Sequence, residues 1–260
     1  MTSVIGAGVT GIAADLALAL DPARIGALCG LQLDGWQAAL LRSDARHMLL
    51  LCARQCGKST VTGLLAIVTA ITKSGALILI LAPSQRQAGE LFRTVLRFLK
   101  QIEGAPEIVA ESALRCELSN KSRIVALPSE ESNVRGFAAV DLVIMDEAAR
   151  CTDELYQAVR PMLAATPGGG RMILLSSPAG RRGFFFNTYN DAGNDWHKVR
   201  VSAAECPRIS PEWLAAELKE LGLKKFESEY GLVFHDADEA MFSTEMIDRA
   251  FTADVRPLWG

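Results

Sequence analysis

Residues 47–60 read HMLLLCARQCGKST, an apolar run followed at once by a short polar turn and a lysine. The first six residues have the length of a buried strand, and the residues from Lys58 onward have helical character. A glycine-lysine-serine step between a strand and a helix is typical of a phosphate-binding loop. Backbone N–H groups at the helix N-terminus face the phosphates, the Lys58 ammonium bridges the β- and γ-phosphates, and the Ser59 hydroxyl is a magnesium ligand. The stretch therefore predicts an α/β fold with a nucleotide site at the end of a strand.

One position of this stretch departs from the usual GxxxxGK[ST] pattern, because Cys52 stands where glycine is expected. The cysteine Cβ requires a negative φ or a wider loop. The alternative interpretation is a chance Gly-Lys-Ser sequence at the start of an ordinary helix. Under the phosphate-loop hypothesis, the nucleotide contacts are expected from consecutive residues of the loop and the first helical turn: Arg54, Gln55, Cys56, Gly57, Lys58, Ser59 and Thr60.

A second motif lies downstream, where the apolar run 140–145 ends in Asp146-Glu147. Asp146, at the carboxyl end of a strand, can accept a hydrogen bond from Ser59 or from magnesium-bound water. Glu147 reaches further and can orient and deprotonate an attacking water. Alternatively, the two carboxylates supply the negative charge of a helix N-terminus, since residues 148–150 could begin a helix. The two motifs together predict that both strand ends meet at the nucleotide-binding edge of one sheet.

Helix and strand signals alternate along most of the chain, which is typical of a parallel sheet with crossover helices. Predicted helices cover 11–20, 34–42, 58–73, 85–102 and 211–221, and another helical segment starts at Asp21-Pro22. Predicted strands cover 47–52, 76–81, 114–119, 122–128, 140–145, 171–176 and 198–202. The third and fourth of these strands are joined by a plausible hairpin turn at Asn120-Lys121.

The amino-acid composition excludes some classes of protein. The 260 residues carry 27 lysines and arginines against 30 aspartates and glutamates, a formal charge of -3, which excludes a basic nucleic-acid coat. Half of the residues are hydrophobic and 22% are charged, which excludes a disordered chain. Residues 200–260 hold 12 acidic and 7 basic residues, so the basic surplus lies upstream of an acidic C-terminal part.

The apolar runs and the cysteines indicate the compartment. The longest apolar runs are strand-sized, well short of the roughly 18 residues that cross a bilayer, so no membrane segment is expected. Residues 1–20 are apolar but have no basic leader and contain Asp15, so they do not fit a secretory signal. The six cysteines are scattered without a CxxC pair, which disfavours disulfides and zinc. We therefore expect a cytosolic protein.

An ordered set of segments, from about Trp36 to about Phe251, resembles the ATPase domain of the large terminase subunit, the DNA-packaging motor of tailed bacteriophages. RQCGKS at 54–59 resembles the modified Walker A motif of that family, and DEAA at 146–149 resembles its Walker B motif. The other matching segments are Trp36-Gln37 (upstream glutamine motif), APSQRQ at 82–87 (after the second strand), Val134-Arg135-Gly136 (arginine-containing loop), Ser176-Ser177-Pro178 (coupling motif), and EYGLVF at 229–234 with Phe242 (join between motor and nuclease).

This resemblance implies a P-loop NTPase fold of the ASCE or RecA-like type, with a mostly parallel central sheet flanked by helices. It divides the chain into a helical N-terminal region 1–35, an ATPase core 36–205, and a small lid or linker region 206–260. The second half of the family's protein, a nuclease with clustered carboxylates, has no room in 260 residues. The expected region is therefore an isolated motor domain, or a chain without a nuclease.

The resemblance also implies ATP and Mg²⁺ as cofactors and assigns hydrolytic roles. Lys58 and Arg54 bind phosphates, Ser59 and Asp146 hold Mg²⁺, and Glu147 acts on the attacking water. Arg54 lies inside the phosphate loop, already near the anion; an arginine that points into solvent is the alternative.

Four other residues receive their roles mainly from the resemblance. Gln37 would read the adenine edge with its amide donor and acceptor, and an exposed helical glutamine is the alternative. Arg135, in the polar loop 129–137, would act as an arginine finger in the site of a neighbouring subunit, and an ordinary exposed arginine is the alternative. Ser176 and Ser177 would sense hydrolysis and relay it to DNA movement, and a hydroxyl-rich turn is the alternative.

The implied partners are double-stranded DNA, further copies of the chain in a homo-oligomeric ring, a portal protein and a small terminase subunit. They would meet at a procapsid in the host cytoplasm, with no membrane involved. Arg181-Arg182 and the following Phe184-Phe185-Phe186 form a basic and aromatic loop that could contact the DNA backbone. Packing of the phenylalanines with the arginines in solvent is the alternative.

Other functions stay open at this point. The DEAA sequence at the strand end fits a helicase-type translocase. Helicases of that type have two motor lobes, and the chain is too short for both. Cys52 in place of glycine motivates an ATP-gated binding module that does not hydrolyse ATP. A nuclease built from Asp236, Asp238 and Glu239 is disfavoured, because these residues are too near the C-terminus to be supported by a sheet of their own.

Overall fold

The computed structural model describes residues 16–128, 134, 136–193, 195–236, 246 and 249–250. Within these residues, eight strands form one sheet in the order β3-β4-β5-β2-β6-β7-β1-β8. The strands are β1 (His47–Cys52), β2 (Leu77–Ala82), β3 (Ile108–Glu111), β4 (Arg115–Leu118), β5 (Arg123–Pro128), β6 (Leu142–Asp146), β7 (Arg171–Ser176) and β8 (His197–Val201). The six strands β5, β2, β6, β7, β1 and β8 are neighbours in this order, and each is parallel to the next. The pairs β3–β4 and β4–β5 are antiparallel. The predicted mostly parallel α/β class is confirmed.

Helices connect the strands and flank the sheet. They are α1 (Ile25–Leu28), α2 (Gly35–Arg42), α3 (Lys58–Thr72), α4 (Gln85–Leu99), α5 (Asp153–Ala164), α6 (Gly183–Asn190), α7 (Pro211–Leu221) and α8 (Leu223–Phe226). Short 3-10 turns occupy Pro22–Arg24, Ala148–Arg150 and Ala203–Glu205, and a π-helical turn occupies Glu227–Gly231. Residues 16–20 are helical. Within the described residues, no helix combines the length and apolar character needed to cross a membrane.

Burial explains why the central strands are apolar from end to end. All six residues of β2 are buried, as are the last five of β1 and of β7. Such strands carry no polar alternation because both faces of a parallel sheet are covered. Helix α3 is similarly buried along most of its length and packs against α4, so the helix that begins at Lys58 is fixed in position.

The predicted bounds of β1, β7 and α7 agree with the structure, and most other predicted elements differ by one to three residues. In α7, Ser210 Oγ accepts a hydrogen bond from Trp213 N, and Gly222 ends the helix. The hairpin at Asn120-Lys121 is confirmed as the antiparallel pair β4–β5. The sequence patterns did not predict β3, or that β5 pairs with β2 in parallel.

The prediction of a basic and aromatic loop at 181–186 was wrong from Gly183 onward. Residues Gly183–Asn190 form α6, in which Phe184 and Phe185 are buried. Their burial agrees with the alternative of apolar packing. Arg181 Nε donates to the carbonyl of Phe234 at 3.0 Å. The helix α5 was also missed.

Candidate active site

The phosphate loop begins where β1 ends. Cys52 is the last residue of β1 and pairs in parallel register with Val201. It is not among the residues with positive φ, so the cysteine that replaces the usual glycine lies in ordinary strand backbone. The left-handed positions of the loop are Gln55, at φ 60°, and Gly57, at φ 84°. A Cβ at Gly57 would also lie 2.6 Å from Gln37 Nε2, so glycine is required there and not at position 52.

Ser59 and Asp146 lie within hydrogen-bonding distance of each other at the carboxyl edge of the sheet. Ser59, in the first turn of α3, donates from Oγ to Asp146 Oδ2 at 3.4 Å. Asp146 ends β6, and its Oδ1 accepts a hydrogen bond from Glu147 N at 2.9 Å. Burial raises the pKa of Asp146 to about 6, although the nearby Lys58 ammonium acts in the opposite direction. The hydroxyl and the carboxylate are oxygen ligands of the kind that Mg²⁺ takes, and a bound cation would offset the cost of burying this carboxylate.

Glu147 lies between two cations. Its Oε1 is 3.3 Å from Lys58 Nζ, and its Oε2 accepts from Arg150 Nη1 at 2.5 Å. Ser176 Oγ, at the end of β7, donates to the same Oε2 at 3.4 Å. The backbone of Glu147 is left-handed, with φ 50°, because the chain turns directly from β6 into the 3-10 turn. Sequence reasoning missed Arg150, although its position three residues after Glu147 was a usable signal.

Arg54 is paired with an acidic residue of the C-terminal segment. Its side chain is 57% exposed, yet Nε donates to Glu229 Oε2 at 2.6 Å. Ser177, just after β7, donates from Oγ to the same carboxylate oxygen at 3.3 Å. Glu229 was not among the predicted site residues. It begins the segment 229–234 that resembles the family, but nothing local predicts its contact with the loop, because it lies 175 residues after Arg54.

A cleft of about 330 Å³ lies at the carboxyl edge of the sheet, beside this cluster. Its lining residues are Arg54, Gln55, Lys58, Gln87, Glu147 and Arg150. Gln87, from the first turn of α4, belongs to the segment 82–87 that resembles the family. Three cations and one carboxylate in the wall suit an anionic ligand, and the phosphate groups of a nucleotide are such a ligand.

Gln37 supports the phosphate loop through a hydrogen bond to the backbone of the loop. It is 4% exposed, its Oε1 accepts from Asp34 N at 2.9 Å, and its Nε2 donates to the carbonyl of Gly57 at 3.3 Å. Arg208, which sequence reasoning missed, donates from Nη2 to the carbonyl of Cys56 at 2.8 Å and pairs through Nη1 with Asp34 at 2.7 Å. Because each end of the Gln37 amide already has a partner within the chain, its contact with adenine stays a prediction.

The remaining predicted residues divide into three groups. Cys56 is buried, and its Sγ faces the carbonyl oxygens of Val201 and Ser202, while Thr60 is half-buried in the first turn of α3. Asp236 lines a different cavity, beside α8. The predicted positions that lie outside the described residues are Arg135, Asp238, Glu239 and Phe242.

Comparisons with known proteins agree with the fold. A family model described as the helicase domain of the RNA cytidine acetyltransferase NAT10/TcmA matches residues 49–169. The large terminase subunit of Thermus virus P23-45 is 24% identical over an alignment 243 residues long, and the match covers 80% of this chain and 50% of that protein. This chain therefore spans about half the length of the curated relatives that it matches.

The comparison with solved structures also finds similarity to large terminases. The ATPase domain of the large terminase of Thermus phage P74-26 has a TM-score of 0.70 at 23% identity, covering 80% of this chain and 96% of that domain. A large terminase from a thermophilic bacteriophage, solved in complex with ADP, has a TM-score of 0.61 at 13% identity, covering 74% of this chain and 49% of that one. The resemblance to the large terminase subunit is confirmed, and the fold is that of its P-loop ATPase domain.

Proposed function

We propose that this chain is the ATPase domain of a large terminase subunit, a motor that hydrolyses ATP to move double-stranded DNA into a viral procapsid. One observation carries the nucleotide part of the proposal: at the carboxyl edge of the sheet, Ser59 faces Asp146 and Lys58 faces Glu147. A phosphate loop and an acidic strand end in this relation are the parts that ATP hydrolysis needs. The DNA part of the proposal is supported by the likeness to large terminase subunits.

In the proposed reaction, Lys58 and Arg54 bind the phosphate oxygens and offset their charge. Ser59 and Asp146 would hold Mg²⁺, which shields the phosphates and lowers the cost of charge that develops during transfer. Glu147 orients the attacking water and accepts its proton on a carboxylate oxygen. In the present arrangement Glu147 Oε1 contacts Lys58, so phosphate binding by Lys58 also frees this oxygen for the water, while Arg150 continues to hold Oε2.

The proposal includes roles that rest on the resemblance. Gln37 contacts adenine, Arg135 completes the site of a neighbouring copy in a homo-oligomeric ring, and Ser176 and Ser177 couple hydrolysis to DNA movement. Residues 206–260 act as a lid or linker. The partners are double-stranded DNA, a portal protein and a small terminase subunit, at a procapsid in the host cytoplasm.

The substitution Glu147→Gln tests the hydrolytic role. We expect the variant to bind ATP and to release phosphate at least about a hundredfold more slowly, because the amide cannot take the proton of the water. Binding is measured with a fluorescent ATP analogue, and turnover by phosphate release. The matched control is Glu154→Gln, which neutralises an exposed carboxylate on α5, outside the cleft. This control should keep the parent rate.

Two results would change the proposal. Near-normal turnover by Glu147→Gln would reject the assignment of the proton acceptor. Tight ATP binding by the parent chain without phosphate release, under conditions that permit assembly, would instead select an ATP-gated binding module.

A helicase-type translocase is the second candidate function, because the family model that matches residues 49–169 describes a helicase domain. Helicases of this type use two motor lobes, whereas the strands in the described part of this chain form a single sheet. ATP-dependent separation of duplex strands by the chain would favour this candidate. Turnover that duplex DNA stimulates without strand separation would favour the packaging motor.

A further inference from the structure

Glu229 connects the C-terminal segment to the phosphate loop. It lies in the π-helical turn Glu227–Gly231, 175 residues after Arg54. Its Oε2 accepts a hydrogen bond from Arg54 Nε at 2.6 Å, and its backbone carbonyl accepts one from Arg54 N at 3.2 Å. The Glu229 side chain is 12% exposed. One residue therefore holds both the main chain and the guanidinium of Arg54.

The same turn contacts the segment that follows β7. Ser177 Oγ donates to Glu229 Oε2 at 3.3 Å, and Arg150 Nη2 lies 3.8 Å from Glu229 Oε1. The neighbouring Ser228 donates from Oγ to the carbonyl of Pro178 at 3.3 Å. The turn thus bridges the phosphate loop and the Ser177-Pro178 segment, and Glu229 is the residue common to both contacts.

Glu229 and an incoming phosphate would compete for the same cation. The cleft wall carries Arg54, Lys58 and Arg150, and the carboxylates that face them are Glu147 and Glu229. The guanidinium fork binds phosphate oxygens in the same bidentate way as carboxylate oxygens. A side-on contact from Arg54 to a phosphate uses the Nε hydrogen that Glu229 now accepts. Such a contact therefore displaces Glu229.

We propose that Glu229 is a positioning residue that restrains Arg54 until the phosphates of the nucleotide displace it, and that this displacement weakens the contact of the turn Glu227–Gly231 with the phosphate loop. The inference rests on the proposed nucleotide site and adds a device that couples its occupancy to the C-terminal segment. Without nucleotide, Glu229 holds the turn against the loop. With nucleotide, Arg54 turns to the phosphates, and the turn loses its side-chain ion pair with the loop. It keeps the backbone hydrogen bond from Arg54 N to the Glu229 carbonyl and the contacts to Ser177, Pro178 and Arg150.

The substitution Glu229→Gln tests the competition. It keeps the shape of the side chain and removes the charge that competes with phosphate. We expect a non-hydrolysable ATP analogue to bind about threefold to tenfold more tightly than to the parent chain. The matched control is Glu227→Gln in the same turn, because the Glu227 carboxylate lies 3.3 Å from His235 Nε2 and is not a partner of Arg54. The control should bind the analogue as the parent does.

A double-substitution cycle distinguishes this role from a general change of charge. If Glu229 acts through Arg54, then Glu229→Gln should not change the affinity for the analogue when Arg54→Gln is already present. A gain in affinity that persists without the Arg54 guanidinium would overturn the proposed positioning role.

Limited trypsin digestion of the parent chain reports on the turn without any substitution. Lys225 is exposed and lies two residues before the turn. We expect the ATP analogue to increase the rate of cleavage after Lys225 severalfold, and Glu229→Gln to show that faster rate without nucleotide. No change in the cleavage rate of the parent upon binding would overturn the proposed weakening of this contact, even if the Glu229 variant failed to fold.

The outcomes separate the two proposals. If the parent chain does not bind the analogue, the proposed function fails. If the parent binds it, while Glu229→Gln and Glu227→Gln both match the parent, the nucleotide site stands and the role of Glu229 is rejected. Weaker binding by Glu229→Gln would also reject the role, because it would make Glu229 a residue that supports the site and not one that competes with the ligand.

Discussion

At the residue scale, Asp146 is the carboxylate whose burial costs most at the site. Burial raises its pKa from 3.8 to about 6, with Lys58 lowering it and Glu147 raising it to smaller extents. The folded chain therefore binds more protons than the unfolded chain between these two values. The raised pKa of Asp146 therefore contributes to the free energy of unfolding in full below about pH 4, and this contribution is lost as the pH rises through about 6.

The substitution Asp146→Asn should therefore stabilise the chain at neutral pH in the absence of Mg²⁺ and nucleotide. The difference between the two pKa values corresponds to about 3 kcal/mol at pH 7.5, as an upper value because the amide also loses the attraction to Lys58. The difference in free energy of unfolding between variant and parent should shrink as the pH falls from 7.5 to 5. Urea denaturation at several pH values measures it.

The control for this prediction is Glu103→Gln, which neutralises an exposed carboxylate outside the cleft and should show no such pH-dependent gain. An Asp146→Asn variant that is less stable than the parent at pH 7.5 would mean that the pair with Lys58 outweighs the cost of burial. The carboxylate would then be stabilising even without a metal ion.

At the element scale, α6 depends on a cap from a distant part of the chain. Asp153 Oδ1, at the start of α5, accepts a hydrogen bond from Phe184 N at 2.8 Å. Arg182, the residue before α6, makes no side-chain cap of its own. A carboxylate at a helix N-terminus satisfies a free N–H group and is attracted by the helix dipole. This contact holds the start of α6 against the start of α5.

Asp153→Ala should lower the free energy of unfolding by about 1 kcal/mol, the usual cost of removing an N-terminal cap. The neighbouring Glu154→Ala is the control, because Glu154 is exposed in the same turn of α5 and does not cap α6. Thermal and urea unfolding of the two variants give the comparison. If both variants lost the same free energy of unfolding, the effect would arise in α5 alone, and the contact with α6 would contribute nothing to stability.

At the scale of the whole molecule, the sheet order decides which residues share the cleft. The strand β7 lies between β1 and β6, so their carboxyl ends bring together the phosphate loop, Ser176 and the pair Asp146-Glu147. Under the proposed function, a second copy adds one group to this cleft. That group is Arg135, which lies outside the described residues.

The rate of ATP hydrolysis per chain should then rise with protein concentration, because assembly brings the arginine of one copy to the site of the next. Initial rates across a wide concentration range measure this, with Glu147→Gln as the blank. A rate per chain that does not depend on concentration would mean that the site is complete within one chain.

Mixing two inactive variants tests the same point directly. Arg135→Ala leaves a chain with an intact phosphate loop, and Lys58→Ala leaves a chain with an intact Arg135. Their mixture should regain part of the activity, because a Lys58→Ala copy can supply its arginine to an Arg135→Ala neighbour. No regain in mixed assemblies would reject the action of Arg135 between subunits.

Local signals were sufficient to predict much of the fold. The bounds of β1, β7 and α7 were predicted because each is a periodic or apolar run closed by turn residues, as Ser210 and Gly222 close α7. Helix α6 escaped prediction because its three successive phenylalanines have weak helix preference and its cap comes from Asp153, 31 residues before Phe184. The parallel pairing of β5 with β2 was likewise not visible in the hairpin pattern.

The sequence by itself determined the phosphate loop, the acidic strand end and the α/β class, because each depends on residue types at short, fixed spacings. Only the tertiary structure decided that Gln37 and Arg208 hydrogen-bond to the loop, and that Glu229 holds Arg54. Hydrogen bonds within a turn or helix join near neighbours, so short patterns predict them. A charged side chain meets a partner 175 residues away only after sheet order and helix packing have brought the two segments together.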